Sequence, residues 1–171
     1  MSHIEFIGPP GAGKSTIYNH MVRDQNRLVG EKTVTSRALS GSSRAFGSAT
    51  GLIPQPVGEI ISKLWYDMWI ERTYFNKFAD NNPNYQLFWD ELSEEIKYEN
   101  LGLESALNST AAIYEAGTSV LQDNEILCLD EGFSQRLVSI LWRSERIEAS
   151  MISRYYSVTP SPRLIVYIKA P

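Results

Sequence analysis

A single cysteine, Cys128, stands in a chain of 171 residues, so no intrachain disulfide can staple the fold. Its setting in the apolar run EILCLDE suits a small core residue better than a reactive thiol, and such usage fits a reducing compartment. Long apolar runs are also missing. None approaches the roughly 20 residues that span a bilayer, and the first apolar segment, HIEFIG, is too short for the core of a secretory leader and carries no cleavage site. Basic charge is sparse: 16 Lys and Arg against 20 Asp and Glu give a net charge of −4, and the cations are scattered, which leaves no footprint for duplex nucleic acid. The two histidines, His3 and His20, placed before the first strand and on the first helix, have no neighbours at metal-ligand spacing. No fixed-period repeat is present. The expectation is a cytoplasmic globular protein, with no membrane or nucleic-acid partner, in which any anion must be held by a local site.

The length suits one domain on a prior of roughly 150 residues each, here the whole of 1–171, and 43% hydrophobic and 21% charged residues are ordinary globular values. HIEFIG (3–8) reads as a short buried strand, and after a glycine-rich turn KSTIYNHMVRDQ (14–25) places Ile17, Met21 and Val22 at helical spacing. KTVTSR (32–37) is β-branched and reads as a second strand. Residues 38–58 are crowded with Gly, Ser and Pro and read as a loop. A long aromatic-rich helix is expected over 59–79, with Ile61, Trp65, Met68 and Arg72 on one face and Ile60, Leu64 and Trp69 beside it, ended by DNNPN. YQLFWDELSEEIKYEN and LESALNSTAAIYEAGTSVLQ supply two more helices, the second with Leu103, Leu107 and Tyr114 on one side. EILCLDE (125–131) reads as a buried strand, a helix follows from Phe133 through Leu137, Ile140 and Leu141, and Leu164–Ile168 forms a last strand. Apolar strands separated by helices argue for an α/β fold of three layers, α/β/α, whose mostly parallel sheet is covered on both faces, with a helical insertion over about 59–122.

Gly8, Gly13, Lys14 and Ser15 satisfy GxxxxGK[ST], the phosphate-binding P-loop pattern, between a predicted strand and a predicted helix. Glycines let successive backbone N–H groups converge on phosphate oxygens, and the helix N-terminus adds the positive end of its dipole. Gly8, Gly11, Ala12, Gly13, Lys14, Ser15 and Thr16 are therefore the expected nucleotide-binding residues, with Lys14 on the terminal phosphates and Ser15 on Mg²⁺. The plainer reading, a glycine turn that merely joins strand to helix, is outweighed by the full match in this context. A second constellation is ILCLDE, an apolar strand closed by Asp130 and Glu131. In a P-loop sheet the strand beside the first one ends near the phosphates, so Asp130 is expected in the metal shell with Ser15. Glu131 is open between orienting a water, binding an acceptor hydroxyl and capping the next helix.

GPPGAGKST, LDEGFSQR and PRLIVYIKAP together resemble the nucleoside and nucleotide kinase group of P-loop proteins, which includes adenylate and thymidylate kinases. In adenylate kinases an acid, a glycine, an aromatic and an arginine follow a strand, and Asp130, Gly132, Phe133 and Arg136 are similar, with an extra acid and altered spacing. Thymidylate kinases end their second strand with Thr and Arg near the acceptor phosphate, which TSR with Arg37 resembles more loosely. The likeness does not extend to the helical region over 60–120. Such kinases continue past the last strand into a helix and an arginine-bearing lid, then a fifth strand, so the resemblance also implies a C-terminal part missing after Pro171.

The resemblance implies a P-loop kinase that moves the γ-phosphoryl of Mg-ATP to a small acceptor, a nucleoside, nucleotide or other hydroxyl compound, with ATP and Mg²⁺ as cofactors. The catalytic set is Lys14, Asp130, Glu131 and Arg136, and the metal set is Ser15 and Asp130. Of the basic residues Arg37, Arg44, Arg72, Arg136 and Arg143, the plain reading is a solvated side chain for all but Arg136, one helical turn past the Asp strand. Trp65, Tyr66, Trp69, Tyr74, Phe75, Phe78, Tyr85, Phe88 and Trp89 read mainly as core, with Trp65, Tyr66 and Trp69 left as candidates to stack an acceptor base. The alternatives are a P-loop ATPase or nucleotide switch acting on a macromolecular partner, and a partial domain that binds nucleotide without turnover. A small GTPase is disfavoured, because no Asn-Lys-x-Asp motif occurs.

Overall fold

The computed structural model describes residues 2–42, 71–95, 101–143 and 149–169. Its strands are β1 (His3–Ile7), β2 (Leu28–Gly30), β3 (Ile126–Leu129) and β4 (Leu164–Tyr167). Its helices are α1 (Lys14–Asp24), α2 (Glu31–Ser42), α3 (Glu71–Asn81), α4 (Pro83–Glu95), α5 (Leu101–Val120), α6 (Phe133–Arg143) and α7 (Ala149–Val158). The strands form one sheet in the order β2-β3-β1-β4, all parallel, with Glu5 opposite Leu129 on one side and Ile165 on the other. The fold is α/β, with helices on both faces of a parallel sheet. The strand order is not the dinucleotide-binding one, in which β1 lies beside β2.

Alternation along β1 sorts the two faces. Ile4 and Phe6 join Cys128 and Ile168 under Tyr18, Met21 and Val22 of α1. On the opposite face Leu127 and Leu129 pack with Val34 and Ala38 of α2 and Ala116 of α5. The connection leaving β1 crosses to β2, beyond β3, while the one leaving β3 crosses to β4, beyond β1. The two run off in opposite directions from neighbouring strands, and in open α/β sheets a ligand crevice forms outside the carboxyl ends at such a point.

Behind α5 and α6 lies a second helical layer. Phe78 of α3 stacks on Phe133 of α6 at 6.1 Å and meets Tyr85 of α4 edge-on at 5.0 Å. Phe88, Trp89, Leu92, Leu103, Leu107 and Tyr155 belong to the same buried cluster. The wholly buried Ala111, Ala112 and Ala116 on α5 let α2 and α3 approach closely. Glu115, also buried there, is met by Lys77 at 3.1 Å and Asn81 at 3.3 Å, so its charge is not left uncompensated.

Several expectations need correction. Residues 32–37 are not a strand but the body of α2, and the second strand is the three-residue Leu28–Gly30. Val34 and Ala38, four apart, are both buried on one side of the helix, and that burial outweighs the strand preference of Thr33, Val34 and Thr35. The loop expected from 38 is helical through Ser42, and 43–58 lie outside the described residues. Of the helix expected over 59–79 only Glu71–Asn81 is described, so Ile60, Ile61, Leu64, Trp65, Met68 and Trp69 fall outside. On α1 it is Tyr18 that is buried, at 8% exposure, whereas Ile17 is 39% exposed. His3 opens β1, as the reading of 3–8 as a strand has it, and is fully buried. β4 is not covered on both faces: Leu164, Ile165 and Tyr167 are exposed. Helix α7 was not anticipated.

Phe78 is the ring on which this layer converges. Phe78→Ala is expected to lower stability by about 3–5 kcal/mol, measured by urea denaturation; a loss below about 1 kcal/mol would show that the layer does not depend on it.

Candidate functional site

The loop between β1 and α1 is bare for a steric reason. A Cβ on Gly8, at φ +154°, would sit 2.3 Å from the backbone oxygen of Ile168. Gly13, directly before α1, adopts the left-handed conformation at φ +86° and offers no capping side chain. The first helical bond runs from Ile17 N–H to the Gly13 carbonyl at 3.1 Å. The N–H groups of Lys14, Ser15 and Thr16 therefore have no acceptor within the helix, and such a terminus is suited to an anion. The Lys14 ammonium folds back over the loop and donates to the carbonyls of Gly8 at 2.9 Å and Pro9 at 3.1 Å.

Across the carboxyl ends of β1 and β3, the Ser15 hydroxyl donates to Asp130 Oδ2 at 2.8 Å. Asp130 Oδ1 is buried and, among the described residues, accepts no hydrogen bond, an unusual state for a buried carboxylate oxygen. A hydroxyl and a carboxylate at this spacing, one oxygen unfilled, suit a hard cation such as Mg²⁺, which is usually held by one or two carboxylates plus phosphate oxygens. Among the described residues no group of three or more His, Cys, Asp or Glu forms a metal cage by itself.

Asp130 is held in turn by Glu31, the first residue of α2 at the end of β2, whose Oε1 accepts the Asp130 N–H at 2.8 Å. The Glu31 N–H donates to the Tyr18 hydroxyl at 2.9 Å. Burial, and next the charge of Asp130, push the Glu31 carboxyl above its ordinary pKa, against the opposing pull of the Asp130 N–H and the Arg136 charge. Burial and the Glu31 charge likewise push the Tyr18 hydroxyl well up. Arg136 donates to Glu131 at 2.8 Å and reaches Thr110 at 3.4 Å. Gln135, the residue before it on α6, accepts the Gly8 N–H at 3.0 Å.

The structure thus gathers Gly8, Gly11, Ala12, Gly13, Lys14, Ser15, Thr16, Asp130, Glu131 and Arg136 at one end of the sheet. Glu31, Gln135 and Glu5 were missed. Glu31 follows the apolar strand LVG as Asp130 follows ILCL, a signal hidden by assigning the strand to 32–37. Arg37 does not belong here: on α2 it grips Glu125 through both guanidinium nitrogens, at 2.6 and 2.9 Å, directly before β3 and so at the opposite end of the sheet. Arg72 is exposed on α3. Arg44, Trp65, Tyr66, Trp69 and the Arg143 side chain lie outside the described residues. Phe78, Tyr85, Phe88 and Trp89 are core. Cys128, at the centre of the sheet, has its thiol pushed up to about 12 by burial.

The chain matches no protein-family model, and comparison with curated proteins and with solved structures finds no significant similarity.

The Arg37 guanidinium, with the Gln122 N–H, holds the Glu125 carboxyl below its ordinary pKa. A depressed folded value means that the unfolded state binds more protons between the two pKa values, so this stability is present above the ordinary value of about 4.3. It is lost as pH falls through the folded value. Arg37→Ala should cost about 1 kcal/mol or less at neutral pH for this partly exposed pair, and the difference should vanish on acidification in urea titrations. A difference that grows as pH falls would contradict this.

Proposed function

We propose that this protein is an ATP-dependent phosphotransferase of the P-loop nucleoside and nucleotide kinase kind, which passes the γ-phosphoryl of Mg-ATP to a small acceptor bearing a hydroxyl or phosphate. The observation that carries the reading is the Ser15–Asp130 contact at 2.8 Å. It joins the hydroxyl of the glycine loop to the acid of the neighbouring strand, with Asp130 Oδ1 buried beside it and without a partner among the described residues. A turn that only linked strand to helix would have no need of that acid.

On this reading the N–H groups at the start of α1 cradle the phosphates, and Lys14 leaves the Gly8 and Pro9 carbonyls to neutralise charge on the transferring group. Ser15 and Asp130 hold Mg²⁺, which when bound offsets the charge of the phosphate oxygens. Arg136 supplies a further positive charge while fixing Glu131. Glu31 stands beside these acids, its Oε1 accepting the Asp130 N–H and so orienting the turn that carries Asp130. Asp130 is engaged with Ser15, and Glu131 with Arg136.

The test is incubation of the protein with γ-labelled ATP, Mg²⁺ and a panel of nucleosides, nucleotides and small alcohols. Label is expected in one acceptor class. Release of inorganic phosphate alone, indifferent to every acceptor, would refute transfer and favour an ATPase. Lys14→Ala should lower turnover by about 10²–10³-fold, the usual effect of removing one preorganised charge-stabilising group; unchanged turnover would overturn the P-loop assignment.

A further inference from the structure

Glu5 is an acid in the middle of β1 with no exposure to solvent. A carboxyl group buried there needs donors for its oxygens, and two backbone N–H groups are in place with the His3 ring beside them. Oε1 accepts the Phe133 N–H at 3.0 Å and lies 2.9 Å from His3 Nε2, while Oε2 accepts the Ser134 N–H at 2.8 Å. Phe133 and Ser134 are the first two residues of α6, so the carboxylate also faces the positive end of that helix. Gly132 allows the approach, because a Cβ on it would lie 2.4 Å from Glu5 Cδ. From the other side the Tyr155 hydroxyl donates to the Phe133 carbonyl at 2.7 Å.

The segment held in this way carries the chemistry of the candidate site. Asp130 and Glu131 form the turn immediately before Gly132, and α6 continues into Gln135, which accepts the Gly8 N–H, and Arg136, which holds Glu131. β1 and the loop that follows it therefore each grip α6, through Glu5 inside the sheet and through Gly8 in the glycine loop. We propose that Glu5 is a positioning residue: it sets the Asp130–Glu131 turn against the glycine loop, and thereby the coupling of Mg²⁺ to ATP binding. The second half rests on the kinase reading; the first does not. Both oxygens are needed as acceptors. A glutamine has one acceptor oxygen and must turn an NH₂ donor toward one of the two backbone N–H groups.

Glu5→Gln and Glu5→Asp are compared with the natural chain, after circular dichroism confirms that they fold. The first readout uses no nucleotide: amide hydrogen exchange should quicken over residues 130–136 and at Gly8, with α3 and α5 unchanged. Exchange that is unaltered, or raised evenly across the fold, would overturn the positioning role and leave Glu5 as general core. The second is calorimetric titration of ATP with and without Mg²⁺. Glu5→Gln should keep the Mg²⁺-free affinity and lose about 10–100-fold of the gain that Mg²⁺ brings, the usual cost of removing a partner behind a metal ligand, with Glu5→Asp in between. A gain retained in full would overturn the coupling. If the natural chain binds no ATP the kinase reading and the coupling fall together, while the exchange pattern still decides whether Glu5 holds the turn. Where Glu5→Gln does not fold, Glu5→Asp carries both measurements.

Discussion

A carboxylate sealed inside a parallel sheet must be answered where it stands, and the answer given to Glu5 organises much of this molecule. Two N–H groups at the start of α6 and the imidazole of His3 converge on it. That fixes where the chain turns after β3, and so where Asp130 and Glu131 emerge. The polar contact is specific in a way that apolar packing is not: leucines and phenylalanines tolerate small shifts, whereas paired carboxylate bonds define a position and an angle. The hydrophobic layers supply stability, and this contact supplies register between the glycine loop and the acidic turn.

The glycine-rich turn was legible because its constraints act on single residues. Gly8 has no room for a side chain beside Ile168, Gly13 needs the left-handed conformation, and Lys14 must follow at once to fold back over the loop. Asp130 was legible because an apolar strand ending in an acid is a local pattern. Glu5 was not: a lone acid in HIEFIG carries no mark of the helix terminus that meets it from 128 residues away. Glu31 was hidden by a misplaced strand. Three residues, LVG, are too few to display a period, while the following Thr-Val-Thr imitates a strand until Val34 and Ala38 are seen buried against α5.

The aromatic stripe shows the same division. Phe78, Tyr85, Phe88 and Trp89, read as core because packing outweighs base-stacking for such a stripe, are buried in the helical layer behind α5 and α6. Periodicity could not tell which end of the sheet an arginine faces. Arg37 lies in a segment whose fold changed from strand to helix, and that change carried it to Glu125, at the amino end of β3. The candidate site at the carboxyl end is therefore assembled by topology: two crossings in opposite directions bring the loop after β1 and the turn after β3 side by side.

Cys128 lies on β3, flanked by β2 and β1, fully buried and with its thiol far from ionising at neutral pH. As the chain's single cysteine it makes the molecule its own clock. A thiol reagent has nothing to react with until the centre of the sheet parts, so the rate of alkylation counts openings of the parallel core, separately from the fraying of the helices around it.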